Sequence, residues 1–190
     1  EATAGSGTAG FVDGNVTSTR SYFGAGGGDY IATLFHYDWR NFLRGVKPAA
    51  APYLVQDTDF MGRVIASALY TSEPTWATVV ADDDYAQSVA TNRGTLELVK
   101  FDKLGRVFQT ATYEVAQAGS PGAIGDRLVA DRFYDRNSRL VASYSNASGG
   151  AEYAFDGAGR MYQSRTVTDL EANKYDGGTG AFVYRDPQPN

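Results

Sequence analysis

The stretch KFDKLGRVFQTATY, Lys100 to Tyr113, sets an aspartate and a glycine three positions apart between two runs in which apolar and aromatic residues alternate with polar ones. An aspartate that opens a turn accepts a hydrogen bond from the backbone N–H two residues on. A glycine three positions later takes a positive φ at no steric cost. Together they describe a type I turn followed by a left-handed residue, a common way to close a hairpin with a bulge. One copy alone could equally be a catalytic loop or a phosphate-binding glycine turn. Repetition along the chain decides for the hairpin.

The same pattern recurs as YDWRNFL (Tyr37 to Leu43), TDFMGRV (Thr58 to Val64), YDRNSRL (Tyr134 to Leu140) and FDGAGRM (Phe155 to Met161), with a weaker copy, YDGGTGAF, from Tyr175. The aspartates Asp38, Asp59, Asp102, Asp135, Asp156 and Asp176 follow one another at spacings of 21, 43, 33, 21 and 20 residues. This predicts a unit of about 21 residues, with one spacing holding two units and another carrying an insertion. The missing copy is expected near Asp82, Asp83 and Asp84. Asp38, Asp59, Asp102, Asp135 and Asp156 are the expected turn caps, with Gly62, Gly105 and Gly159 as their left-handed partners. Asn41 stands in the glycine position of the first copy, and asparagine tolerates the left-handed region; Ser138 is a poorer substitute. The aromatic before each aspartate and the aliphatic after each arginine belong on the flanking strands, where alternation directs them to one face. Arg63, Arg106, Arg139 and Arg160 are expected to form a ladder, each reaching the aspartate of its own or an adjacent turn.

On these residues the chain resembles the YD-repeat, or Rhs-repeat, proteins, whose units read YDxxGRL followed by an alternating strand. The resemblance spans about Asp29 to Asp186. It implies an all-β fold of tandem β-hairpins forming a curved or spiralling antiparallel sheet. In that family such sheets wind into hollow shells, and large members enclose a C-terminal toxin or present surface ligands. Six or seven units would supply twelve to fourteen strands, enough to curl but too few to enclose a second protein. Fold alone does not fix activity.

Composition narrows the function classes. A net charge of -5, with no cluster of Lys or Arg, argues against a nucleic-acid partner. The absence of cysteine rules out disulfides and thiolate metal sites, and no apolar run is long enough for a membrane-spanning helix. With 22 glycines and 13% aromatic residues, strands and tight turns are favoured over helices. The chain begins at Glu1 rather than Met, which predicts an exported product, secreted or on the cell surface; the family resemblance implies a bacterial origin.

Catalytic readings are weaker. His36 is the single histidine, so a Ser-His-Asp triad would have to use it, and a packed strand histidine is the preferred reading. No GxSxG elbow occurs. GAGGGDY lacks a neighbouring lysine for phosphate and reads as a joint. Asp82 to Asp84 lack the spacing of a calcium loop and read as a solvated turn. The repeated aspartates are spaced as turn caps rather than as a glycosidase pair. No cofactor or metal is expected, and the chain reads as noncatalytic. Trp39 and Trp76 are candidate stacking platforms for a cell-surface glycan. NVT at Asn15 and NAS at Asn146 are glycosylation sequons that matter only in a eukaryotic secreted chain.

The expected organisation is an arm over residues 1–28 with one hairpin signal at Asp13-Gly14, a repeat sheet over 29–186, and a tail over 187–190. Open sheet edges at both ends predict self-association, end to end, through those edges or a strand added from the N-terminal arm, into a homo-oligomer, filament or surface layer.

Overall fold

The computed structural model describes residues 2–4, 15–23 and 29–167. The Asp13-Gly14 hairpin signal, the GAGGG joint, the copy from Tyr175 and the tail lie outside the described residues. The strands are β1 (Ala2–Ala4), β2 (Val16–Phe23), β3 (Asp29–Tyr37), β4 (Leu43–Lys47), β5 (Tyr53–Thr58) and β6 (Val64–Tyr70), followed by β7 (Arg93–Phe101), β8 (Val107–Val115), β9 (Ile124–Tyr134), β10 (Leu140–Ser145), β11 (Gly149–Phe155) and β12 (Met161–Val167). All twelve belong to one sheet whose strand order is the chain order, so each strand neighbours its predecessor and successor. The expected all-β array of antiparallel hairpins is present. Strand β2, within the segment read as an arm, pairs with β3 from Ser18↔Leu34 to Phe23↔Asp29.

The chain divides into two units, one made of residues 1–98 and 113–126, the other of 99–112 and 127–190. In the first, the inward residues of successive strands line up across the sheet as a row of Gly45, Val55, Ala68 and Leu96. Ala66 and Ala68 are small, which leaves room for a second layer. Two short helices, α1 (Trp76–Ala81) and α2 (Tyr85–Ser88), fill it, burying Val79, Tyr85 and Ala86 against Val55, Ala66, Ala68, Tyr70 and Leu96. Burial of apolar area at about 25 cal/mol per Å² makes this the main apolar source of stability in the unit.

These helices correct one expectation. No decayed hairpin copy lies near Asp82 to Asp84; the connection 71–92 between β6 and β7 carries α1 and α2 instead. The long spacing from Asp59 to Asp102 holds a helical insertion rather than two turn units. Its β-branched run at Thr78 to Val80 reads as strand in isolation, and packing against the alanine face overrides that preference.

The second unit has no such covering layer among the described residues. Its buried side chains are Ala111, Phe133 and Ala142, and β12 is exposed over most of its length. No described helix is long and apolar enough to cross a membrane, which says nothing of a β-barrel.

Candidate functional site

Five hairpin turns share one geometry. At each, the N–H of the aspartate donates to the carbonyl four residues on, and the N–H three residues on donates back to the aspartate carbonyl, at 2.9 to 3.1 Å. This is a type I turn closed by a bulge. The residue before the aspartate therefore pairs with the one five beyond it, as in Tyr37↔Leu43, Thr58↔Val64, Tyr134↔Leu140 and Phe155↔Met161. The left-handed position holds Asn41, Gly62, Gly105, Ser138 and Gly159, with φ between 63° and 81°.

The carboxylate does more than cap. Oδ1 of Asp59 accepts the N–H groups of Met61 (2.9 Å) and Arg63 (3.0 Å), while Oδ2 accepts Nε and Nη2 of Arg63 at 2.7 and 2.6 Å. Asp102 and Arg106, and Asp135 and Arg139, repeat this arrangement, and Asp156 holds Arg160 through Nε at 2.8 Å. In the first copy the arginine comes two residues after the aspartate, and Arg40 still forks onto Oδ2 of Asp38 at 3.0 and 2.8 Å. Phe42 takes the vacated place and covers Gly62, where a Cβ would lie 2.6 Å from its ring. Glycine is thus required at 62 by both its φ and this contact.

Burial alone would push the carboxyls of Asp38, Asp59, Asp102 and Asp135 upward, but the N–H and guanidinium bonds outweigh it and hold each below the usual range. Asp156 is held low by the backbone N–H and side chain of Arg160. Such groups stabilise the fold above their unfolded pKa of 3.8, and that contribution is lost as pH falls through the depressed folded values.

Sequence reasoning missed a role for the aromatic residue. In the second unit the guanidinium of Arg106 sits 4.6 Å above the Tyr134 ring and its Nη1 donates to the Asp135 carbonyl at 3.3 Å. Arg139 sits 4.7 Å above Phe155. The aromatic before each of these aspartates is thus a shelf for the arginine of the preceding turn. Side chains of Arg63, Arg106 and Arg139 are 28%, 23% and 30% exposed, whereas Arg160, at the last described turn, is 82% exposed.

A second constellation, also unforeseen, fastens the helical insertion to the first unit. Arg44 and Asp57 are fully buried and meet at 3.2 Å. Asp57 accepts the N–H groups of Ala86 (2.9 Å) and Gln87 (3.1 Å), capping the start of α2 from a neighbouring strand. Arg44 donates to the carbonyls of Gln56 and Asp82 at 2.7 and 2.6 Å. At the other end of α2, Arg93 donates to the carbonyls of Ala86, Gln87 and Gly122, and the Tyr70 hydroxyl to that of Val89. Anion at the start and cation at the end suit the helix ends. Burial raises the Asp57 carboxyl, against the pull of Ala86, Gln87 and Arg44. The only sequence signal was charged residues at inward strand positions.

The remaining candidates are placed as follows. Trp39 projects from the first turn and is 86% exposed. Trp76 lies on α1 with its ring face covered by His36, 4.2 Å away and nearly parallel, and with Tyr53 edge-on. Asp83 pairs with Arg40 at 2.8 Å and Arg44 at 3.4 Å, and Asp82 accepts the Asp84 N–H. Among the described residues no group of three His, Cys, Asp or Glu is arranged to hold a metal ion. Asn146 is engaged on both sides, its Oδ1 accepting the Val129 N–H and its Nδ2 donating to the Arg127 carbonyl.

No protein-family profile and no curated protein matches this sequence. Among solved structures, the Photorhabdus luminescens Tc holotoxin pore is similar at 15% identity and a TM-score of 0.41, over 80% of this chain and 8% of that one. A TcdB2-TccC3-Cdc42 structure is similar at 13% identity and a TM-score of 0.36, over 70% of this chain and 8% of that one. A TcdB2-TccC3 structure follows at 11% and 0.30, over 80% and 11%. The chain thus spans under an eighth of the length of each. Likeness this distant does not say what the chain does.

Proposed function

We propose that this chain is a noncatalytic wall module, exported to the outside of a bacterial cell, whose hairpin array continues through contact with a further hairpin unit. The observation that carries this reading is the exposed guanidinium of Arg160. It pairs with the aspartate of its own turn, Asp156, as Arg106 does with Asp102 and Arg139 with Asp135, but has no aromatic shelf among the described residues, and it stands beside exposed Met161 and Tyr162 on β12. An array in which each turn completes the one before it extends by adding a hairpin, either the chain's own weaker copy from Tyr175 or, as the filament or layer reading has it, a hairpin of another copy, end to end. The same open position also fits a section of a longer Rhs-type shell that encloses a toxin or presents a ligand.

Sedimentation and negative-stain microscopy over a wide concentration range test the proposal. Concentration-dependent fibres or rows that Arg160→Ala weakens support assembly of copies. Monomers throughout, with Arg160→Ala indistinguishable from the parent, sink self-assembly and leave the shell section as the form to test. A glycan role would rest on Trp39, which is 86% exposed with the Arg40 guanidinium 5.8 Å from its ring centre, and an array signal lost in Trp39→Ala would support it.

A further inference from the structure

We propose that α1 is a pH-operated latch: Trp76 seats on the neutral imidazole of His36, and proton uptake by that imidazole in mildly acidic solution releases the helix from the β3–β4 face. The attachment is narrow. Helix α1 has six residues, its N-cap Thr75 makes no side-chain cap, and no acidic residue lies in its first turn. Its apolar contacts with the sheet run through Val79, in the core, and Trp76, while its C-cap residue Asp82 is held through its carbonyl by Arg44 at 2.6 Å, so the imidazole controls the Trp76 end of the helix. The Trp76 ring stacks on His36 at 4.2 Å with 4° between the planes, and it lies so close over Gly45 that a Cβ there would be 2.3 Å from Cζ3. Its Nε1 donates to Glu73 at 2.9 Å, and the same Glu73 oxygen accepts Lys47 Nζ at 2.6 Å.

The site is built for an uncharged ring. His36 Nε2 is buried and has no hydrogen-bond partner. A neutral imidazole leaves one nitrogen as an acceptor, which tolerates that; an imidazolium makes both nitrogens donors, and the buried Nε2–H then has nothing to donate to. The charged groups acting on the ring are Lys47 from β4 and Glu73 from the loop before α1, and the uncharged Trp76 stacks on it. Lys47 repels a proton. Glu73 attracts one, but its oxygen is already shared by Lys47 and Trp76. A charged ring would gain some attraction to the indole face, yet burial and then Lys47 prevail over Glu73 and hold the His36 pKa below its ordinary 6.5. With α1 released, water reaches the ring and the His36 pKa rises toward that ordinary value, with Lys47 still beside it on β4. The open form therefore takes up the proton first as pH falls below 6.5, and opening is favoured by up to about tenfold per pH unit until the closed form titrates too.

The test uses the full chain carrying Trp39→Phe, so that emission comes from Trp76 alone. Between pH about 8 and about 5, across the imidazole range, the emission maximum should move to the red. Over the same range, exchange of the 76–81 amides, corrected for intrinsic rate, should rise by up to about tenfold per pH unit, with far-ultraviolet dichroism unchanged. His36→Phe, which keeps a flat ring but takes no proton, should abolish both changes; His36→Gln serves if the Phe variant does not fold. A flat response in the parent overturns the proposal. So does quenching without a red shift, which would mean protonation with the ring still seated, and so does an unchanged titration in the His36 variants.

Discussion

Asp59→Ala is the most informative single change in the turn array. The Asp59 carboxylate accepts two backbone N–H groups and a forked guanidinium. Water reaches the turn tip, so each backbone bond to the charged acceptor contributes about 1 kcal/mol, below the roughly 1.5–3 kcal/mol of bonds to charged groups. Arg63 and Asp59 side chains are 28% and 13% exposed, so their pair adds under about 1 kcal/mol after solvent screening. The Ala variant should therefore lose about 2 kcal/mol, and Asp59→Asn, which keeps an acceptor but no charge, about 1 kcal/mol. Urea unfolding followed by Trp76 emission in a Trp39→Phe background reads this difference in the first unit. The advantage of Asp over Asn should hold at neutral pH and fade as pH drops through the depressed range of Asp59, because the unfolded carboxyl, at 3.8, takes its proton earlier than the folded one. An Ala variant within about 0.5 kcal/mol of the parent, the scatter of ordinary surface changes, would refute the reasoning, as would equal losses for Asn and Ala.

Ser138→Gly should raise the stability of the second unit by about 1 kcal/mol in thermal or denaturant unfolding, since serine is held there at φ 63°. Asp57→Ala should cost about 3–5 kcal/mol, because it strands a fully buried Arg44 and uncaps α2; urea unfolding measures it. Gly45→Ala should displace Trp76, red-shifting its emission and costing about 1–3 kcal/mol as overpacking. A double-mutant cycle on Arg139→Ala and Phe155→Leu should return a coupling of about 0.5–1 kcal/mol, and additivity would remove the stacking role of the aromatic residue.

What was legible in the sequence was local. The aspartate-to-glycine spacing encodes a turn because cap and left-handed residue act within five positions, so Asn41 and even Ser138 could be placed before any contact was known. The arginine shelves were not legible, because Arg106 reaches Tyr134 across 28 residues whereas Arg139 reaches Phe155 across 16. That register depends on strand pairing and connection length, not on a fixed offset. The insertion at 71–92 was misread because its acidic run resembles a worn turn, while the residues that make it helical are Ala66 and Ala68 of the opposing strand and Asp57 at the α2 start. Likewise the swap of Arg40 and Phe42 looks like decay of the pattern, but the guanidinium still reaches Asp38 and the phenyl ring fills the space over Gly62.

The most direct test is through-hydrogen-bond scalar coupling by NMR at the five turns. Couplings should join the amide nitrogens of Asp38, Asp59, Asp102, Asp135 and Asp156 to the carbonyl carbons of Phe42, Arg63, Arg106, Arg139 and Arg160. Couplings running the other way, from each residue to the carbonyl four positions before it as in a helix, would contradict the account at its root.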